Sequence, residues 1–180
     1  MNVLLTAIPD VLIVEPKVFT DERGFFYESF NKKVMQAVGI AADFVQDNHS
    51  RSVRNVLRGL HYQIRQPQGK LVRAVAGEIF DVAVDLRRRS PTFGKWVSML
   101  LSADNRRMAW IPPGFAHGFL VLSEFAEVLY KTTDYWASPY ERTIVWNDRD
   151  LAISWPAAGG PQLSVKDKAG VAFREAELFE

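Results

Sequence analysis

No cysteine occurs anywhere in the 180 residues, so neither disulfide stapling nor thiolate chemistry is open to this chain. Only three histidines are present, His49, His61 and His117, which leaves little material for a mononuclear metal centre. Net charge is almost absent: 22 basic against 21 acidic side chains give +1, so no whole-molecule field draws the protein onto nucleic acid or an anionic membrane. Any anionic ligand must be held locally. The single run of cations, Arg87-Arg88-Arg89, precedes Ser90-Pro91 and reads as a charged turn, so the aromatic content of 12% finds no basic track beside which to stack on bases. Long apolar runs are also missing. Met1 to Val14 carries Pro9 and Asp10 and lacks a basic leading segment, which predicts neither a signal peptide nor a membrane anchor and points to the cytoplasm.

What is present is a 48% hydrophobic chain, long enough for one sizeable core, so a single domain over residues 1–180 is expected. Short alternating runs broken by Gly, Pro, Asn and Asp predict antiparallel strands. Ile79 to Asp85 sets Phe80, Val82 and Val84 against Asp81, Ala83 and Asp85, which predicts one core face and one polar face. Phe25–Phe30, Val56–Gln63, Lys70–Ala76, Trp96–Leu101, Met108–Ile111, Gly118–Leu122 and Ala126–Thr132 read likewise, a count that suits a sandwich or jelly roll. Asn31 to Val38 predicts a helix capped by Gly39, and shorter helical stretches are expected near Val165 to Ala169 and at the C-terminus.

His61-Tyr62-Gln63 lacks the second histidine of the HxH pair typical of metal-binding cupins, whereas Pro112-Pro113-Gly114-Phe115-Ala116-His117 resembles their second motif. A two-histidine site completed by Asp81 or Glu78 is the metal alternative. Three segments, Arg58-Gly59-Leu60-His61-Tyr62-Gln63, Ile111 to Phe119, and Tyr130-Lys131 followed by Asp134-Tyr135, resemble the dTDP-4-dehydrorhamnose 3,5-epimerase family. The likeness runs from about Pro16 to Asp167 and includes Asp21-Glu22-Arg23-Gly24, Val84 to Arg87, Ser90 to Gly94 and Leu163 to Asp167.

This resemblance implies an all-β, double-stranded β-helix jelly roll (cupin-like) with a few short helices, a homodimer, and an isomerase that uses no metal or cofactor; the apolar run Val11 to Val14 is expected to add a strand to a neighbour's sheet. The implied substrate is dTDP-4-keto-6-deoxyglucose, inverted at carbons 3 and 5 to dTDP-4-keto-L-rhamnose; a relative inverting one carbon carries the same motifs. A metal-dependent cupin and a non-catalytic sugar-nucleotide binder are the readings from other classes. Inversion beside a carbonyl needs a base on one face, a proton donor on the other and stabilisation of the enolate between them. Histidine, with an ordinary pKa of about 6.5, suits the first task. By resemblance His61 is the base, Asp167 its acidic partner, Tyr130 the proton donor, and Lys70 the cation beside the enolate oxygen. The resemblance also places Arg23, Glu28, Gln46, Asp47, Asn48, Arg58, His117, Glu141 and Lys166 around the substrate and Trp136 against thymine. Strict strand alternation sets Arg58 and His61 on opposite faces, so joint service requires a bulge near Gly59 or a place at the strand boundary.

Overall fold

Alternating patterning becomes strand in the computed structural model of the protein, which describes residues 1–157 and 159–180. Among the described residues the strands are β1 (Asn2–Leu5), β2 (Leu12–Glu15), β3 (Phe19–Asp21), β4 (Gly24–Phe26), β5 (Gln46–Val53), β6 (Leu57–Gln63) and β7 (Lys70–Ala76). They continue with β8 (Glu78–Asp85), β9 (Trp96–Ser102), β10 (Met108–Ile111), β11 (Phe115–Val121), β12 (Phe125–Thr132) and β13 (Glu141–Thr143). Helices α1 (Lys32–Ala37) and α2 (Val165–Lys168) are short, and the C-terminal helical stretch is a single 3-10 turn at Phe173–Glu175. Six strands pair in the order β1-β2-β10-β7-β12-β5 and five in the order β13-β6-β11-β8-β9, with β3 and β4 forming a separate hairpin. Every pairing within them is antiparallel, so the all-β architecture expected from the patterning is found, in the jelly-roll form that the resemblance implies.

The core lies between the two large sheets, where Val72 and Ala74 of β7, Ile79 and Ala83 of β8, Val97 and Leu101 of β9, and Ala126 and Val128 of β12 pack together. Burying each larger aliphatic side chain there contributes roughly 1.5–3 kcal/mol. A second cluster covers the outer face of the five-stranded sheet, where Val82 and Val84 meet Leu86, Ile144 and Leu151. The third packs α1, through Met35, against Leu71, Met108 and Trp110. Asn31 caps α1 by accepting from the Val34 N–H at 3.3 Å, and Gly39 takes φ +93° just beyond it.

Four expectations need correction. The face of β8 that carries Asp81 and Asp85 is not solvated: both are fully buried, because each side of this strand is covered by a hydrophobic cluster. Val11 to Val14, read as a strand offered to a neighbouring chain, is already used at home: Leu12–Glu15 pairs with β1 on one side and β10 on the other. The Phe25–Phe30 run is strand only to Phe26. Strand β5 was not anticipated, because Gln-Asp-Asn-His-Ser-Arg-Ser-Val has a polar composition that strands disfavour; eight paired positions along β12 hold it in place.

Candidate active site

Strand period decides which side chains enter the roll. In β7, Lys70 shares the inward face with Val72 and Ala74; in β12, Tyr130 follows Ala126 and Val128; in β8, Asp81 lies between Ile79 and Ala83. On β5 the sheltered positions are Gln46, Asn48, Ser50 and Ser52. At one end of the roll the apolar core therefore gives way to polar groups. They line a cavity of about 360 Å³ formed by Asn48, Ser50, Arg58, His61, Lys70, His117, Phe119, Tyr130, Trp136, Glu141 and Lys166.

Arg58 and His61 both reach this cavity because β6 carries a bulge. His61 pairs with His117 and Arg58 with Phe119, so β6 spends one residue more than β11 over this stretch. Glycine is required there: Gly59 has φ +132°, and a Cβ on it would stand 2.5 Å from the Cα of Gly118. The bulge resolves the conflict posed by strict alternation. Arg58 is braced from below, its Nε donating to Ser52 Oγ at 2.9 Å.

His61 donates from Nε2–H to Asp167 Oδ1 at 2.5 Å, which leaves Nδ1 unprotonated and free to accept. Asp167 sits at the foot of α2, 3% exposed, and also accepts from Ser164 Oγ at 2.7 Å and the Gly59 N–H at 3.4 Å. Burial alone would raise this carboxyl; the hydrogen bonds from His61 and Ser164 outweigh it and bring it down to about 2. Burial pushes the His61 imidazole below its ordinary value, with the Asp167 hydrogen bond opposing. The dyad is therefore a neutral base backed by a fixed negative charge at neutral pH. Burial moves Tyr130 the other way, above 10.0, so its phenol keeps its proton. Lys70, desolvated in the cavity wall, is pulled down to about 8.

At the mouth Lys166 donates to Glu141 at 2.7 Å, and Gln46 accepts from the Trp136 N–H at 3.0 Å while donating to Asn48 at 2.9 Å. Trp136 is 58% exposed. Three residues expected at the site stand elsewhere. Asp47 faces outward to Lys131 at 2.8 Å, because consecutive residues of a strand cannot share one face with Gln46 and Asn48. Arg23 lies on the β3–β4 hairpin with its side chain 86% exposed and paired to Asp21, and Glu28 accepts from Asn31 at 3.1 Å. None of the three lines the cavity of its own chain. Among the described residues no group of three or more His, Cys, Asp or Glu side chains is placed to hold a metal ion: His61 faces Asp167, His117 faces Asp81 and His49 faces Glu127.

The family model described as dTDP-4-dehydrorhamnose 3,5-epimerase matches residues 5–175. The chain belongs to the dTDP-4-dehydrorhamnose 3,5-epimerase family. A member from Pseudomonas aeruginosa is 64% identical over 180 residues, covering 99% of both chains. The crystal structure of dTDP-6-deoxy-D-glucose-3,5-epimerase from Legionella pneumophila in complex with dTDP-4-keto-L-rhamnose has a TM-score of 0.97 at 52% identity, over 99% of this chain and 97% of that one. A 3'-monoepimerase from Streptomyces bikiniensis in complex with dTDP-quinovose is more distant, with a TM-score of 0.87 at 32% identity over 94% and 87%. An isomerase of this family is what the motifs led us to expect. The epimerase cavity and the residues behind it also include groups whose roles sequence reasoning missed. Ser50 and Phe119 line it, Ser164 steadies Asp167, and buried Asp81 holds His117. A strand signal over residues 46–53 would have exposed Ser50; Asp81 was visible but placed on the polar face of its strand and weighed only as a metal ligand.

Proposed function

We propose that this chain converts dTDP-4-keto-6-deoxyglucose to dTDP-4-keto-L-rhamnose by proton transfer through an enolate. The observation that carries the reading is that His61, hydrogen-bonded from behind to Asp167, and a protonated Tyr130 line one cavity. His61 Nδ1 takes the proton beside the keto group, and the imidazolium so formed is stabilised by Asp167. Negative charge then moves onto the carbonyl oxygen, which the Lys70 ammonium stabilises, while His117, its Nε2–H held by Asp81, presents Nδ1 as an acceptor for a sugar hydroxyl. Tyr130 returns a proton from the other face; once His61 has released its proton to solvent and Tyr130 has regained one, the cycle repeats at the second carbon. Arg58 and Lys166 supply cations for the diphosphate, Trp136 offers its face to thymine, and Gln46, Asn48 and Glu141 complete the polar wall. The residues present supply base, acid and oxyanion stabilisation, so the scheme needs neither metal nor cofactor. One domain over residues 1–180 in the cytoplasm suits it, and no described helix is long and apolar enough to cross a membrane.

The active species in this reading is a homodimer. Phe19, Phe25 and Phe26 are exposed on the β3–β4 hairpin beside Arg23, an apolar surface that a second copy would cover. Arg23 and Glu28, outside the cavity of their own chain, would then serve the partner's. Sedimentation showing active monomers at micromolar concentration would remove the dimer. The reaction itself is tested by turnover in deuterated water followed by NMR of the product. Deuterium at carbons 3 and 5 is expected; deuterium at one carbon makes the chain a single-centre epimerase, and none removes the enolate.

A further inference from the structure

We propose that Asp81 is a positioning residue of this epimerase, a buried carboxylate that orients His117 through one oxygen and keeps Lys70 in its charged form through the field of the other. The inference rests on the epimerase reading and deepens it. Asp81 stands in the middle of β8 with no exposure, between core residues Ile79 and Ala83. A carboxylate is costly in such a place unless hydrogen-bonded and paired with a cation. Its Oδ2 accepts from His117 Nε2–H at 2.7 Å, which leaves the other ring nitrogen, Nδ1, for the cavity. Its Oδ1 is buried and has no hydrogen-bond partner, one of only three such side-chain atoms among the described residues.

Lys70 is the complementary misfit. It lines the cavity and forms no ion pair among the described residues, although lysine is seldom sheltered from water without one. Burial drives its ammonium towards neutrality, and among the charges around it the field of Asp81 is the strongest influence in the opposite direction, ahead of Glu141. The groups facing Lys70 are Asp81 of β8, Glu141 of β13 and Lys166 of α2, with His61, His117 and Tyr130 in the same wall; adjoining Ile111 of β10 is apolar. Glu141 is already bonded to Lys166 at 2.7 Å. Asp81 is therefore the carboxylate whose charge is left over for Lys70. The arrangement makes sense for a lysine that must stay cationic while the enolate oxygen forms, without being captured in a contact salt bridge that would withdraw it from the substrate.

Asp81→Asn separates the two tasks, since the amide oxygen can still accept from His117 while the charge is gone. The alkaline limb of kcat is expected to move down by roughly one pH unit, giving a loss of about fivefold near pH 8 with KM and the rate near pH 6 within about twofold of wild type. A uniform loss across pH, as a packing role would give, or an unmoved limb overturns the proposal. Should Asp81→Asn not fold, His117→Ala tests the same link: it releases the carboxylate from its imidazole donor, so the limb is expected to rise, and a fixed limb overturns the proposal. If the wild-type protein does not turn over dTDP-4-keto-6-deoxyglucose, the epimerase reading fails separately. Competitive acetylation of Lys70 across pH, read by peptide mass spectrometry in wild type and variant, then decides: a lower ionisation in Asp81→Asn upholds the coupling and identical titrations refute it.

Discussion

Replacing Asp167 by asparagine removes a charge and almost no volume, which makes it the sharpest perturbation of the dyad. The carboxylate is 3% exposed and lies behind His61, so its loss should leave the cavity wall intact and act on the imidazolium that forms when the base takes its proton. Two opposite charges about 4 Å apart in an effective dielectric of about 20 attract by about 4 kcal/mol, and at the observed hydrogen-bond separation the figure is no smaller. Losing that attraction in the transition state corresponds to a fall in kcat of about 10³-fold. Stability falls too. A carboxyl held at about 2 against an ordinary 3.8 contributes about 2 kcal/mol. The sign follows from the depressed value: the contribution is complete above about pH 4 and is lost as pH falls through about 2. Steady-state kinetics give kcat and KM, and urea unfolding of both proteins at neutral and acidic pH gives the rest. A folded Asp167→Asn with kcat within about tenfold of wild type would refute the account of the dyad.

The acid limb of kcat/KM should have its midpoint below 6.5, because burial lowers the His61 value and the free base is lost as pH falls through it; a midpoint above 6.5 contradicts this. Gly59→Ala should destabilise the fold by roughly 2–4 kcal/mol, since the new Cβ would lie 2.5 Å from Gly118 Cα at φ +132°. An unchanged denaturation midpoint would mean that the bulge relaxes freely. Exhaustive treatment with EDTA or phenanthroline should leave the rate unchanged, whereas loss of activity restored by one divalent ion would end the treatment of His61 as a free base.

Where the sequence was legible, one physical signal dominated. Lys70–Ala76 and Met108–Ile111 were read with their observed ends because apolar period and flanking turn residues agreed. Strand β5 escaped because pairing with β12, rather than its own composition, makes it a strand. That omission carried over to the site: without the strand, nothing separated outward Asp47 from inward Gln46 and Asn48. Asp81 was misread for a related reason, since alternation identifies two faces of a strand but not whether both are covered. Arg58 and His61 share the cavity through a one-residue bulge, which the sequence marked only with Gly59. The meeting of His61 with Asp167, 106 positions later, followed from motif resemblance, because local pattern carries no information about so distant a contact.

The division of labour between His61 and Tyr130 is the centre of the account, and isotope exchange measured beside inversion tests it most directly. In deuterated water, His61→Ala should lose exchange and product formation together, by a factor on the order of 10² to 10⁴. Tyr130→Phe removes only a hydroxyl, leaving the dyad able to form the enolate and return a proton to the same face. Its recovered substrate should therefore gain deuterium while inversion falls by the larger factor. Equal loss of exchange and inversion in a folded Tyr130→Phe that still binds dTDP would contradict the assignment of the phenol as the proton donor.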